Sequence, residues 1–526
     1  MMGNQRERVR DRLSSAPPST ADETVSIDGR HLTLQDVVQV ARHGGRASLA
    51  PSVYDQMEGA RHMVEDIVAN QQTVYGVTTG FGDLSRTNIP TQDLYRLQQN
   101  LVRSHAVGVG PCFSKDVVRA TMLLQANMLS LGHSGVSSAV PQLLLDCIAN
   151  GIHPTIPSQG SVGASGDLAP LAHLALVLIG EGEAEVDGQV LPGKDALERK
   201  GLVPLTLGPK EGLALLNGTE VSTAVAALAV HDAETLLTAA IVAGAISVEA
   251  LRGSAAPFAE VLQNARPYPG QKFVAEQLRY LLRDSEIIES HLGSHKVQDP
   301  YSLRCMPQVL GASRDAVVYC RRVIEIELNS ATDNPLFFPS EGQVIAGGNF
   351  HAQPVALAMD FLKIAASEVG SISERRIYLL LDATRSGLPP FLAKNPGLES
   401  GLMIAQNLAA SLVSENKVLA HPASVDSIPT SSGMEDHVSM APIAARQAAQ
   451  VIENASKVVA VELLAASQGL HLAGSMRPGL CVVAALEMVR GLAEPLDFDR
   501  PKSGDIEALT KLVKSGELES LMKPDP

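Results

Sequence analysis

From Glu220 to Gly253 the chain reads "EVSTAVAALAVHDAETLLTAAIVAGAISVEALRG", a stretch without proline and rich in Ala and Leu. Later stretches share its texture: "GASRDAVVYCRRVIEIELNS", "HAQPVALAMDFLKIAASEVGSISERRIYLLL", "GLMIAQNLAASLVSENKVLA" and "HVSMAPIAARQAAQVIENASKVVAVELLAASQG". Their apolar residues recur at three- and four-residue spacing, which predicts long helices. Ala, Gly and Ser on such helices permit close approach, as in a bundle. Between Val25 and about Glu220, shorter helical patches alternate with Gly/Pro-rich loops such as "YGVTTGFGDLSRTNIP". Strand signals are few; "AEVDGQVL" predicts a hairpin about Asp187-Gly188. No internal repeat is evident.

The expected fold is mainly α. A polar tail (1–24) precedes an N-terminal helix-and-loop domain (25–220), and a bundle of long antiparallel helices with site loops follows (221–526). These Ala-rich helices are apolar on several faces, more than one chain's loops can cover, so burial between subunits is expected.

At 526 residues the chain exceeds one ordinary core. Its 45% apolar and 19% charged residues mark a globular protein. A net charge of −15 without blocks of like charge argues against nucleic acid or an anionic membrane as partner. Aromatics at 3%, with no Trp, disfavour base stacking. The five cysteines are scattered, and neither CxxC nor HExxH occurs, so no metal or disulfide framework is expected. The pair His291 and His295 receives no metal assignment for the same lack of ligand spacing. The start, "MMGNQRERVRDRLSS", is too charged for a secretory core, and stretches such as "LAPLAHLALVLIG" fall short of the ~20 residues that span a bilayer. A soluble cytoplasmic protein with a small-molecule partner is the expectation.

Polar loops carry the ionisable groups: "KVQDPYSLRCMPQ", "TDNPLF", "AGGNFHAQP" and "DSIPTSSGMEDHVSM". The segment "GSVGASGDLAP" (160–170) is the most unusual. It lacks the Lys of a phosphate-binding loop, and Asp167 after Gly166 would repel phosphate. Asp167 reads as the N-cap of "LAPLAHLALVLIG", with Pro170 in the first turn. A capped glycine-rich turn accounts for these local features. Self-reaction is the other reading. The Gly166 amide nitrogen attacks the Ala164 carbonyl carbon, closing a five-membered ring. Loss of one water from the ring and one from the Ser165 side chain leaves a conjugated methylidene. Gly is needed because a Cβ would block the approach.

Ala164-Ser165-Gly166 within "GSVGASGDLAPLAHLAL" resembles the precursor of the methylidene-imidazolone (MIO) group of the aromatic amino-acid ammonia-lyases and aminomutases. The resemblance runs from about Val25 to beyond Asp499 and includes, in the family's order, "YGVTTGFG", "LLNGT", "QDPYSLRC", "TDNP", "GGNFH" and "EDHVSM". It implies an MIO cofactor formed autocatalytically from Ala164, Ser165 and Gly166, with no external cofactor. It is nearest to the histidine-specific branch, implying elimination of ammonia from L-histidine to trans-urocanate, the first step of histidine degradation. The alternative is a tyrosine or phenylalanine ammonia-lyase or 2,3-aminomutase using the same group. Glu435 is the discriminator: where the phenylalanine and tyrosine enzymes carry "NQD", this chain has Met434-Glu435-Asp436. An ionised Glu435 suits an imidazole N–H and would be an unpaired buried charge against a phenyl ring. Ser104-His105 also fits the histidine branch, although some tyrosine aminomutases share it. Gly433-Met434 and Ala441 depart from the histidine pattern, which more often has Asn-Gln and Gly there.

The resemblance implies further roles. Tyr75 would remove the β-proton, with Tyr301 as a second catalytic phenol. Arg304 would grip the substrate carboxylate bidentately. His105, Asn217, Gln298, Phe350 and Glu435 would bind or orient the substrate, and His351 is expected to be structural, with support of the site from behind as the alternative. It also implies a homotetramer with sites shared between subunits, Ser165 and Arg304 of one site lying on different chains.

Overall fold

The computed structural model describes residues 24–290 and 298–524. All but Thr24 of the expected tail, and the His291/His295 pair, lie outside these residues. The helices that matter here are α1 (Leu94–His105), α2 (Lys115–Ser130), α3 (Ala169–Leu178), α4 (Glu220–Ala250), α5 (Met306–Glu327), α6 (Gln353–Leu381), α7 (Met403–Leu419) and α8 (Ala441–Leu472). The most extensive packing joins α6 to α8 and α4 to α8, with α5 against α6. The mainly helical expectation holds.

Helix α4 is the axis. Nearly every residue along it is buried, including all of Glu220–Val230 and Ala239–Ala250, as expected of a helix apolar all round. Its 31 residues and mean hydropathy of 1.5 would suffice to cross a membrane, contrary to the sequence expectation that no stretch is long enough. Yet 78% of that window is buried inside the protein, so it is a core helix. Small residues set the spacing. A Cβ on Gly244 would sit 2.5 Å from Met306 Sδ, and one on Gly370 of α6 would lie 3.4 Å from the Ala455 Cβ of α8.

One ionic cluster ties three long helices together. Arg376 of α6 donates from Nε to Glu462 Oε1 of α8 at 2.5 Å, and from Nη2 to Oε2 at 2.7 Å. Ser247 of α4 and Ser373 donate to the same carboxylate at 2.7 and 2.6 Å. Both charged side chains are fully buried, so the fork-on-carboxylate geometry and the two hydroxyls replace the lost water.

Short strands sit between the N-terminal helices. The expected hairpin is present: Glu183–Val186 pairs with Gln189–Pro192, and Asp187 and Gly188, at φ of 52° and 81°, close it in the left-handed region that matches strand twist.

The expected uncovered faces are only partly found. Helix α4 is satisfied within its own chain, because α2, α5, α6 and α8 surround it. Exposed apolar side chains collect instead on α5 (Val318, Tyr319, Ile326), α6 (Leu357, Phe361, Ile364) and α7 (Ile404). On α6 they follow i, i+4, i+7 spacing, and Tyr319 meets Phe361 edge-on at 6.0 Å.

Arg376→Ala strands the buried Glu462 carboxylate, and a loss of about 3–5 kcal/mol in unfolding free energy is expected from urea titration. Loss below about 1 kcal/mol would show that the cluster does not hold the bundle.

Candidate active site

The glycine-rich loop is clamped from two distant segments. Gly166 has φ +73°, and a Cβ there would come within 1.9 Å of the Gly218 carbonyl oxygen. That same oxygen accepts from Asp167 N at 2.7 Å. On the other side, Met440 N donates to Val162 O at 2.9 Å and Ser439 Oγ to Gly163 O at 3.2 Å. Within the loop, Ser161 Oγ accepts from Gly163 N at 3.0 Å and donates to Gly166 O at 3.2 Å.

Asp167 does not cap α3 as its sequence position suggests. Its Oδ2 accepts from Val221 N and Ser222 N of α4 at 2.8 and 2.9 Å, and Ser222 Oγ donates to Oδ1. The reason is burial. The first turn of α4 is sealed from water, so its orphan N–H groups require an acceptor, whereas Pro170 removes one such donor from α3. Leu168, at φ 37°, occupies the α3 cap position instead. Burial pushes the Asp167 carboxyl up to about 6 even against these donors.

Ser165 opens onto a cavity of about 570 Å³ that Tyr75, His105, Asn217 and Glu435 also line, with Phe81, Leu84, Leu168 and Leu213 as apolar walls. Ser165 Oγ donates to Glu435 Oε1 at 3.0 Å. Thr430 Oγ1 and Ser431 Oγ donate to Glu435 Oε2 at 2.5 and 2.8 Å. The turn from Thr430 to Glu435 is closed by Thr430 N on Glu435 O at 3.0 Å, so the Gly433-Met434 departure leaves Glu435 aimed at Ser165. His105 ends α1. Its Nδ1 faces the Leu101 carbonyl at 2.9 Å, which assigns the proton to Nδ1 and leaves Nε2 to accept. Gly82 N donates to the Tyr75 hydroxyl oxygen at 3.3 Å. With the Asn217 amide oriented to pair at both ends, its nitrogen donates to Ser165 O at 3.2 Å and its oxygen accepts from Asn334 N at 2.8 Å.

These features fit self-cyclisation. Only glycine fits at 166, where the backbone is wedged against Gly218. Ala164 is buried, and the Ser165 hydroxyl and carbonyl each have a polar partner.

The chain does not bring every expected residue here. Gln298 and Tyr301 are exposed, Tyr301 at 71%. Arg304 stacks on Tyr301, with Cζ 4.7 Å from the ring centroid, and its buried Nε has no partner among the described residues. Phe350 is half-buried outside the cavity. His351 Nε2 faces the His437 carbonyl at 3.1 Å, and the two imidazoles stack at 5.8 Å. No group of three or more His, Cys, Asp or Glu side chains among the described residues could hold a metal.

Sequence reasoning missed the shell behind the loop. Lys210 and Asp333, both fully buried, pair at 2.5 Å. Burial pulls the Lys210 ammonium below its usual value, and Asp333 opposes that pull. Glu220 and Glu327 lie nearby, their carboxyls raised by burial, Glu220 to about 8. "LLNGTE" carries Glu220 and "TDNP" carries Asp333, with Lys210 and Glu327 outside both, and nothing in their spacing reveals that they meet.

The sequence matches the aromatic amino acid lyase family over residues 32–491. The chain belongs to that family. Among its relatives, the histidine ammonia-lyase of Anaeromyxobacter dehalogenans (strain 2CP-C) is 52% identical, covering 94% of this chain and all of that protein. That of Gloeobacter violaceus is also 52% identical, covering 94% and 96%. In fold, the histidine ammonia-lyase of Trypanosoma cruzi superposes with a TM-score of 0.88 at 40% identity, covering 96% of this chain and 99% of that one. A tyrosine aminomutase from Streptomyces globisporus gives 0.89 at 38%, covering 95% and 98%. As an aromatic amino acid lyase, the chain is a carbon–nitrogen lyase of the MIO-dependent class.

Gly166→Ala is expected to cost at least about 2 kcal/mol, from left-handed strain plus the clash with Gly218 O. Gly433→Ala, with nothing within 4 Å, costs about 1 kcal/mol from the strain alone. Urea midpoints check the pair, and equal losses would remove the clash from the account.

Proposed function

We propose that this chain is a histidine ammonia-lyase, converting L-histidine to trans-urocanate and ammonia. One observation carries the substrate assignment: the Glu435 carboxylate, held by hydroxyls and without an ion pair among the described residues, stands 3.0 Å from Ser165 Oγ. An imidazole N–H offers that carboxylate a charge-assisted hydrogen bond. A phenyl ring offers no donor and leaves that carboxylate to the Thr430 and Ser431 hydroxyls alone. The relatives at 52% identity carry the histidine name.

The MIO group made from Ala164, Ser165 and Gly166 supplies an electrophile for the substrate amine. Asn217, donating to the Ser165 carbonyl, favours negative charge on that oxygen. Tyr75 takes the substrate β-proton at its phenol oxygen, which the Gly82 amide fixes. His105 presents Nε2 as an acceptor to the substrate. Glu435 reads the imidazole.

Gln298, Tyr301, Arg304 and Phe350 act in the site of a neighbouring copy. Tyr301 is displayed on the surface with Arg304 stacked on it, the arrangement of groups offered outward. Arg304 holds the substrate carboxylate, Tyr301 is the second catalytic phenol, and Gln298 and Phe350 orient the substrate. The apolar stripe on α5, α6 and α7 suits burial against further copies, in a homotetramer working in the cytoplasm.

Intact mass and product formation test the chemistry. Active protein is expected to weigh two waters less than its encoded mass, and Ser165→Ala to keep the fold but lose the methylidene and most turnover. Glu435→Gln should lose histidine turnover by orders of magnitude while tyrosine and phenylalanine are less affected. Unmodified mass in active enzyme would sink the MIO reading, and unchanged histidine turnover in Glu435→Gln the substrate assignment.

Shared sites make a separate prediction. Ser165→Ala and Arg304→Ala, each inactive alone, should regain activity when co-expressed, because some mixed sites receive an intact Ser165 and an intact Arg304. Verified hetero-oligomers as inactive as their parents would contradict it.

A further inference from the structure

Glu220 is a carboxyl behind the reactive loop that the proposed chemistry leaves unused and that no cation pairs with among the described residues. Its side chain is buried at the first position of α4. Thr332 Oγ1 donates to its Oε1 at 2.7 Å. Its Oε2 is sealed from solvent and meets no donor among the described residues. That oxygen lies against Gly218, where a Cβ would fall 2.3 Å from it. Gly218 is the residue onto which Gly166 closes, and Asn217, one step earlier, meets the Ser165 carbonyl. Glu220 therefore bridges two supports of the site: the Asn217–Thr219 turn and the Thr332–Asn334 segment.

Charged groups from several elements lie around the turn that carries it. Asp167, from the reactive loop, caps α4. Asp333 is paired with Lys210. Glu327 of α5 accepts from Thr219 Oγ1 at 2.7 Å. Two carboxyls, Asp167 and Asp333, thus bear on a third with one oxygen unpartnered, and Lys210 is already taken by Asp333. A charge there is opposed by burial and by its neighbours.

We propose that Glu220 is a positioning residue for the reactive loop: as the neutral acid it ties Thr332 to Gly218, and its ionisation uncouples the Gly218 turn from Gly166. The catalytic part of this inference rests on the lyase reading; the protonation part does not. Burial together with Asp167 and Asp333 pushes the Glu220 carboxyl from the ordinary 4.5 up to about 8, against the Thr332 hydroxyl and its own N–H. Between those values the folded protein holds a proton that the unfolded chain has lost. Stability from this group is thus full below about 4.5, declines as pH rises and levels off above about 8.

The test compares the full-length wild type with Glu220→Gln, which keeps the shape and stays neutral. Thermal unfolding from pH 5 to 9 should show the variant gaining on the wild type as pH rises, by on the order of a few degrees, with no further gain above about 8. Thr332→Val removes a donor to the charged form, so it should move the pH at which the gain levels off upward. The ratio of kcat/KM for histidine, Glu220→Gln over wild type, should rise severalfold through the same range. Parallel unfolding profiles, or a Thr332→Val midpoint that stays or falls, would overturn the neutral acid. A shifted unfolding profile with a flat activity ratio would overturn the positioning role. If the wild type does not turn over histidine, the lyase reading fails, and the unfolding profiles still decide the state of Glu220.

Discussion

The rest of the site depends on one constraint: the N-terminus of α4 is buried. A 31-residue helix apolar on every face can be accommodated only at the centre of the molecule, and its first turn is then cut off from water. Orphan N–H groups in such a place need a protein acceptor. Asp167 supplies it, and because Asp167 follows Gly166 directly, satisfying the helix also fixes the loop. The same contact brings Gly166 onto Gly218 with no room for a side chain. Core packing and reactive geometry are thus one arrangement.

The far side of the cavity is built differently. Glu435 stands on a short irregular turn, and hydroxyls from Thr430 and Ser431 aim it. Ser439 and Met440, at the start of α8, carry that segment against the loop at Gly163 and Val162. Since α8 is locked to α4 and α6 through Glu462, Arg376 and Ser247, both walls of the cavity are referred to the same rigid core. The proposed selection of substrate by one hydrogen bond to Glu435 needs such fixed placement.

Much of the architecture was readable in the chain. Long helices were, because their apolar spacing is local, and so was the hairpin at Asp187-Gly188, because its turn chemistry is local. Tyr75, His105, Ser165, Asn217 and Glu435 were named from motifs and do meet in one cavity. The partner of Asp167 was not readable, since a cap normally serves the helix that follows it and here serves one 54 residues on. The uncovered faces were legible only in part. Composition marked all the Ala-rich helices after Glu220, of which α4 is enclosed by its neighbours, while the exposed stripe lies on α5, α6 and α7, where apolar residues share the helix with charged ones. The cluster of Glu220, Glu327, Asp333 and Lys210 gave no signal, because buried charges look like surface charges until the fold brings them together.

The two clamps on the glycine-rich loop also order events in time. During synthesis, Gly163 to Gly166 leave the ribosome well before Gly218, and Ser439, which donates to Gly163, lies 276 residues further along the chain. A nascent chain ending before α8 has the Ala-Ser-Gly sequence but only one of the two clamps that press it into its tight turn. Under the proposed cyclisation, attack by Gly166 on Ala164 awaits closure of the ends of both α4 and α8 on the loop. On that proposal the fold acts as its own checkpoint, in which a chain that fails to complete its helical core remains an ordinary, unreactive polypeptide.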